Sequence, residues 1–240
     1  MCGLAWYWLW SAAGPMSASG PMAMAGMASP APRTAVWTLA YLGPAFAMWA
    51  IMMVAMMLPS AAPVILLYAA FAQRGPVPPR AATVVFAATY LLVWVAFALL
   101  ATLGQALLVA HGLADTATLA LGNRAIVAAL LAATALYQLS GLKNVCLSKC
   151  RTPVGFVMQH WRPGYRGALR MGLIHGFYCV GCCAFLMLLL CVGGVMNLAL
   201  IFLISALVVI EKYAPPTLHP RWAISAILLA FAAALALTAA

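Results

Sequence analysis

His175, Cys179, Cys182 and Cys183 fall within nine positions, in the run His-Gly-Phe-Tyr-Cys-Val-Gly-Cys-Cys. On a helix, at about 100° per residue, the four project within an arc of roughly 100°, so one face carries three thiols and an imidazole. That donor set suits Cu(I) or Zn, whereas Mg and Ca call for oxygen ligands. A lone cysteine in an apolar segment is usually a small core residue. A stripe of four soft donors fits packing less well. Gly172 and Gly176 lie on the same stripe at i and i+4, which lets a neighbouring helix approach the backbone closely.

A second sulfur group is Met48, Met52, Met53, Met56 and Met57, in the run Met-Trp-Ala-Ile-Met-Met-Val-Ala-Met-Met-Leu-Pro-Ser. Met48, Met52 and Met56 are spaced by four and share an arc of about 80°. Methionines at helical spacing ordinarily fill apolar gaps. Counting inward from the ends of their segments, however, puts Met53 and Val180 both near mid-membrane. Met52, Met56 and Met57 are therefore candidate thioether ligands at the depth of the thiols. The third group is Cys146 and Cys150, an i, i+4 pair flanked by Lys149 and Arg151, whose positive charge favours thiolate. They are expected at the cytoplasmic end of a span, as a metal-accepting or sensing pair. A stable disulfide is not expected on that reducing side.

The elements that must hold these groups follow from composition. Of 240 residues, 68% are apolar and 6% charged, against about a quarter charged in a soluble domain. This excludes a soluble globular enzyme. Apolar runs cover 36–71, 83–110, 125–142, 169–191, 196–210 and 222–239. Backbone groups in a bilayer must be satisfied within the segment, so these runs are predicted to be helices. The expected fold is all-α, a polytopic transmembrane helical bundle of six full spans, preceded by a partial N-terminal helix at residues 1–10. Pro59 and Pro63 predict a kink or break near Met57–Ser60 in the first run. Residues 11–32 are low in complexity and contain Met16, Met22, Met24 and Met27, which reads as a flexible outer loop. Two units result: 1–32, the partial helix and methionine loop, and 33–240, the bundle.

The net charge of +10 is accounted for by orientation, because short cytoplasmic loops collect Lys and Arg. One side receives Arg74, Arg80, Lys143, Lys149, Arg151, Arg162, Arg166, Arg170, Lys212 and Arg221; the other receives Arg33 and Arg124. The multi-pass chain is expected in a bacterial inner membrane, with lipid and metal as partners, a membrane or periplasmic protein as a further one, and no nucleic acid.

The two acids, Asp115 and Glu211, leave no material for paired-carboxylate chemistry. Glu211 and Lys212 at a span end read equally as interface anchors or as part of an ion path; adjacent residues point about 100° apart and need not pair. Gln105, Gln138 and Asn197 read as hydrogen-bonding glue between helices. His111, His160 and His219 are assigned to loops. Covalent haem lacks its Cys-x-x-Cys-His, and a lone spanning histidine cannot build a bis-histidine haem. There is no phosphate-binding loop or dinucleotide fingerprint, and Ser60 and Ser140 have no His and acid partners. No catalytic residue is assigned, and binding is favoured over catalysis.

Residues 52–63, 137–153 and 179–183, together with Gly-Val-Met-Asn at 194–197 and Glu211-Lys212, resemble a bacterial family of predicted metal-binding integral membrane proteins of unknown function. The resemblance implies a helical inner-membrane protein with a metal site at its cysteines and methionines. It extends over about 36–212. The leading expectation is handling of a soft metal, Cu(I) before Zn, through His175, Cys179, Cys182, Cys183, Met52, Met56, Met57, Cys146 and Cys150. The alternatives are a transmembrane thiol-disulfide protein relaying electrons from Cys179 and Cys182 to Cys146 and Cys150, and a membrane subunit that helps to load metal into a partner oxidase.

Overall fold

The computed structural model describes residues 7, 35–114, 121–195, 197–215, 218 and 220–237. The outer loop at 11–32, Arg33, Asp115 and His219 lie outside the described residues, as does the partial N-terminal helix apart from Tyr7. After a short 3-10 turn at Ala35–Trp37, the helices are α1 (Leu39–Ala72), α2 (Pro79–Ala110), α3 (Arg124–Leu139), α4 (Gly141–Arg151), α5 (Pro153–His160), α6 (Gly164–Leu188), α7 (Leu190–Gly193), α8 (Leu198–Tyr213) and α9 (Pro220–Leu237). The described residues form no β-sheet, so the all-helical expectation holds.

Among the described residues, four helices are long and apolar enough to cross a membrane: α1 with 34 residues, α2 with 32, α6 continued through α7 with 30, and α9 with 18. The runs expected at 125–142 and 196–210 correspond to α3 and α8, each of 16 residues, which at 1.5 Å per residue reach only about 24 Å. α3 is followed by α4 at an angle of 63°, and the bent pair makes a fifth span if counted as one. The count that length and composition support is thus four to five spans.

Local sequence explains the helix ends. The Asn123 side chain accepts hydrogen bonds from the backbone N–H groups of Ala125 and Ile126, opening α3. Ser140 leaves the helical conformation at φ −66° and ψ 148°, and its hydroxyl accepts from the Lys143 N–H, opening α4 in a new direction. Serine and asparagine are strong caps because their short side chains satisfy the orphan N–H groups of a first turn. The Asn197 side chain accepts from the Leu200 N–H, so it caps α8. Proline begins α2, α5 and α9, where its missing N–H costs nothing. His160 is the last residue of α5, not a loop residue.

α2 is central, packing along both α1 and α6, while α9 packs along α3, and α8 touches α1, α4 and α6. The α2–α6 crossing is made at Gly172 and Gly176. A Cβ added at Gly176 would sit 2.8 Å from Val93 Cγ2, and one at Gly172 would collide with Thr89 Oγ1 and lie 2.5 Å from the Phe86 carbonyl oxygen. The expected break in α1 does not occur, and the helix runs on through Pro44, Pro59 and Pro63. Around the proline turn, Tyr90 donates to the Met57 carbonyl and Tyr213 to the Ser60 carbonyl. Neighbouring helices thus tie the weakened segment in place, which is how membrane bundles tolerate internal proline.

Candidate metal centre

α6 winds Cys179, Cys182 and Cys183 onto its buried side, where each thiol is at most 2% exposed. Their sulfur atoms lie within 4.8 Å of one another, and those of Cys182 and Cys183 are 3.0 Å apart. The turn at Ser140 sends α4 back along α6. This brings Cys150 Sγ to 3.9 Å from Cys182 Sγ and sets Cys146 against the bare backbone of Gly181, where an added Cβ would lie 2.7 Å from its sulfur. Tyr137 donates a hydrogen bond to the Gly181 carbonyl and fixes the same face. Of the pair expected at the end of the third span, Cys150 thus lies beside the thiols of α6 and Cys146 one turn of α4 away.

On its other side the cluster meets α2, α8 and α1. Lys212 is buried, and its Nζ donates to Cys179 Sγ at 3.1 Å and to Ser60 Oγ at 2.9 Å. Tyr90 OH lies 3.2 Å from Cys179 Sγ and 3.2 Å from the Met57 carbonyl oxygen. Its single proton serves one of them at a time. The Ser60 hydroxyl donates to the Met57 carbonyl at 2.9 Å and lies 3.9 Å from Met57 Sδ. Met48, Met52, Met53, Met56 and Met57 are all buried, and they share one continuous apolar core with Cys146, Cys150, Cys179, Cys182 and Cys183.

His175 stands apart from the sulfur set. Its ring packs 5.0 Å from Phe156, 5.4 Å from Tyr90 and 6.3 Å from Phe86, centroid to centroid, and its Nδ1 has no hydrogen-bond partner. The nearest thiol, Cys179, is four residues along α6, a rise of about 6 Å, so the ring sits one turn from the three sulfur atoms that lie within 4.8 Å of one another.

A second buried polar cluster lies on α8 one residue earlier. Lys143 Nζ forms an ion pair with Glu211 Oε2 at 2.6 Å and donates to Gln138 Oε1, and Arg151 Nε donates to the Glu211 carbonyl at 2.7 Å. Gln138 thus links α3 to α4 by accepting from Lys143, and Gln105 links α2 to α1 by accepting from Trp49 Nε1 at 2.7 Å, the interhelical role expected of both.

Cys146, Cys150, Cys179, Cys182, Cys183 and Cys191 are free thiols, and the three at Cys179, Cys182 and Cys183 converge in a buried group that could hold a metal ion. Comparison with protein families matches residues 46–236 to PpoB2, described as a copper chaperone. The chain belongs to the PpoB2 copper chaperone family. The match covers α2 through α8 in full and most of α1 and α9, so every residue of the sulfur centre lies within it, and it agrees with the metal-related family that the motifs resemble. No curated protein and no solved structure matches the chain.

The residues of the PpoB2 centre that the sequence did not flag are Lys212, Tyr90 and Ser60 in their roles beside Cys179. Lys212 carried a signal, a charge immediately after an apolar run, but the same signal marks an ordinary interface anchor. Tyr90 carried none.

Proposed function

We propose that this protein is a membrane-embedded copper handler that binds Cu(I) at Cys179, Cys182 and Cys183 and exchanges it with neighbouring sulfur ligands. The observation that carries this reading is the convergence of three buried thiols within 4.8 Å, in a chain of a copper chaperone family. Cu(I) is soft and accepts two or three thiolates, so a compact triad without carboxylates suits it better than a hard cation. Cys150, 3.9 Å from Cys182, supplies a ligand from a different helix, and ligand exchange between α6 and α4 moves the ion without a free aqueous intermediate. Cys146 extends that track by one turn of α4. Met57, Met52 and Met56 supply thioethers from α1, which resist the oxidation that threatens thiols at an outer face. His175 serves as packing beside the centre and not as a ligand. The bundle sits in a bacterial inner membrane with its basic end in the cytoplasm, and an acceptor protein receives the metal.

The thiol-disulfide reading, a relay from Cys179 and Cys182 to Cys146 and Cys150, draws on the approach of Cys182 Sγ to Cys150 Sγ at 3.9 Å. The two readings separate on one preparation. Protein purified anaerobically under reducing conditions is expected to retain copper in proportion to protein, measured by elemental analysis, and the variant carrying Cys179→Ser, Cys182→Ser and Cys183→Ser is expected to retain none. Wild-type protein that stays metal-free after copper supplementation, yet yields a trapped mixed disulfide at Cys179 or Cys182, would overturn the copper reading in favour of the redox one.

A further inference from the structure

We propose that Lys212 is the built-in counter-ion of the metal–thiolate centre, a positioning residue that acts through Cys179 and sets how tightly the ion is held. The inference rests on the copper reading above.

A monovalent ion held by two thiolates leaves one net negative charge, and held by three it leaves two. Inside an apolar bundle such a charge is costly unless an opposite charge stands beside it. Lys212 is the cation that the described structure places in contact with the centre: its ammonium lies 3.1 Å from Cys179 Sγ and is buried with it. It has no carboxylate of its own. Glu211 is the acid among the described residues, and its carboxylate is engaged by Lys143, in the salt bridge that the described residues contain. The acceptors described for Lys212 are a serine hydroxyl and the sulfur of Cys179. A buried ammonium with neutral partners alone carries a large desolvation penalty, whereas an anionic metal–thiolate group beside it completes the pairing from both sides. Ser60 holds the ammonium in place from α1, and Tyr213 in turn holds the Ser60 backbone. The lysine is thus aimed at the sulfur by three helices, α1, α6 and α8.

The test uses the full chain in detergent, titrated anaerobically with Cu(I) against a chromophoric Cu(I) chelator. Lys212→Met is expected to weaken Cu(I) binding by about 10–100-fold, the usual loss when a residue supporting a metal ligand is removed. Lys212→Gln keeps donor N–H groups for Ser60 and Cys179 but has no charge; it guards against a variant that simply fails to fold, and it is expected to lose as much as Lys212→Met. Lys212→Arg, which keeps the charge, is expected to restore most of the affinity. In a Cys179→Ser background, Lys212→Met is expected to cost nothing further, because the charge acts through that sulfur. Equal affinity in wild type and Lys212→Gln, or an equal loss from Lys212→Met with and without Cys179, would overturn the counter-ion role alone. Wild-type protein that binds no Cu(I) would overturn the copper reading and this inference together.

Discussion

Glu211 and Lys212 are neighbours on α8, yet they serve two buried polar clusters of opposite design. Glu211 turns toward α4, where the Lys143 ammonium meets its carboxylate at 2.6 Å, Gln138 accepts a second hydrogen bond from that ammonium, and Arg151 clamps the Glu211 carbonyl. Lys212 turns toward α1 and α6, where it meets a hydroxyl and a thiol. The first cluster pairs its buried ammonium directly with a carboxylate, and the Arg151 guanidinium donates to a backbone carbonyl, although Glu211 Oε1 and Gln138 Nε2 stay buried without a hydrogen-bond partner among the described residues. The second is a cation set beside polarisable sulfur, and an incoming ion changes its charge balance. A closed pair anchors helices, whereas an open one can respond to a ligand. On the proposal made above, that contrast, more than the number of thiols, separates the charge that ties helices from the charge that answers a ligand.

The largest effect should come from breaking the closed pair. Glu211→Gln leaves the Lys143 ammonium buried without a countercharge and is expected to destabilise the protein by about 3–5 kcal/mol, read as a lowered denaturant midpoint or melting temperature in detergent. Adding Lys143→Met removes the stranded charge and should recover most of that loss, because a buried pair is worth little over an apolar replacement. Copper bound per folded molecule should stay at the wild-type ratio in both variants. A Glu211→Gln protein as stable as wild type would show that the pair is not what ties α8 to α4, and the contrast drawn above would lose one of its sides.

The support beneath the open cluster is steric, and its failure should be smaller. Gly176→Ala places a methyl group 2.8 Å from Val93 Cγ2 at the α2–α6 crossing, an overpacking expected to cost about 1–3 kcal/mol. Because Tyr90 reaches Cys179 from α2, separating the helices should also weaken Cu(I) binding, whereas the Lys143–Glu211 pair, which lies between α4 and α8, should be untouched. Loss of stability with copper affinity unchanged would mean that Tyr90 does not help to shape the sulfur site.

What was legible in the sequence was what is local. Apolar runs announce membrane-length helices by hydropathy alone, and α1, α2, α6 and α9 stand where those runs are. The stripe of Cys179, Cys182 and Cys183 was legible because helical spacing decides which residues share a face, and the glycines at Gly172 and Gly176 correctly marked a close crossing. The contact of Cys150 with Cys182 was not legible because it depends on a turn at Ser140–Gly141, and a capping serine between two helical stretches gives no angle until α6 is there to pack against. The count of six spans is not confirmed, because α3 stops at the Ser140 cap, three residues short of its run, and α8 begins only after the Asn197 cap and has 16 residues. Lys143 and Lys212 were assigned with eight other basic residues to one aqueous side; their burial depends on which helices surround them, and no one-dimensional pattern carries that.

The smallest expected effect asks what Lys212 is held for. Ser60→Ala removes one acceptor of the ammonium and the hydroxyl bond to the Met57 carbonyl, while Cys179 and Tyr213 keep their contacts with Lys212 and the Ser60 backbone. Loss of these two buried hydrogen bonds is expected to cost about 1–2 kcal/mol in unfolding. If the ammonium belongs to Cys179, that sulfur still retains it and Cu(I) affinity should move little. A loss of copper as large as that of Lys212→Met, without a matching loss of stability, would instead make the α1 hydroxyl the element that aims the charge. The proline-bearing turn of α1 would then belong to the site itself and not to its frame.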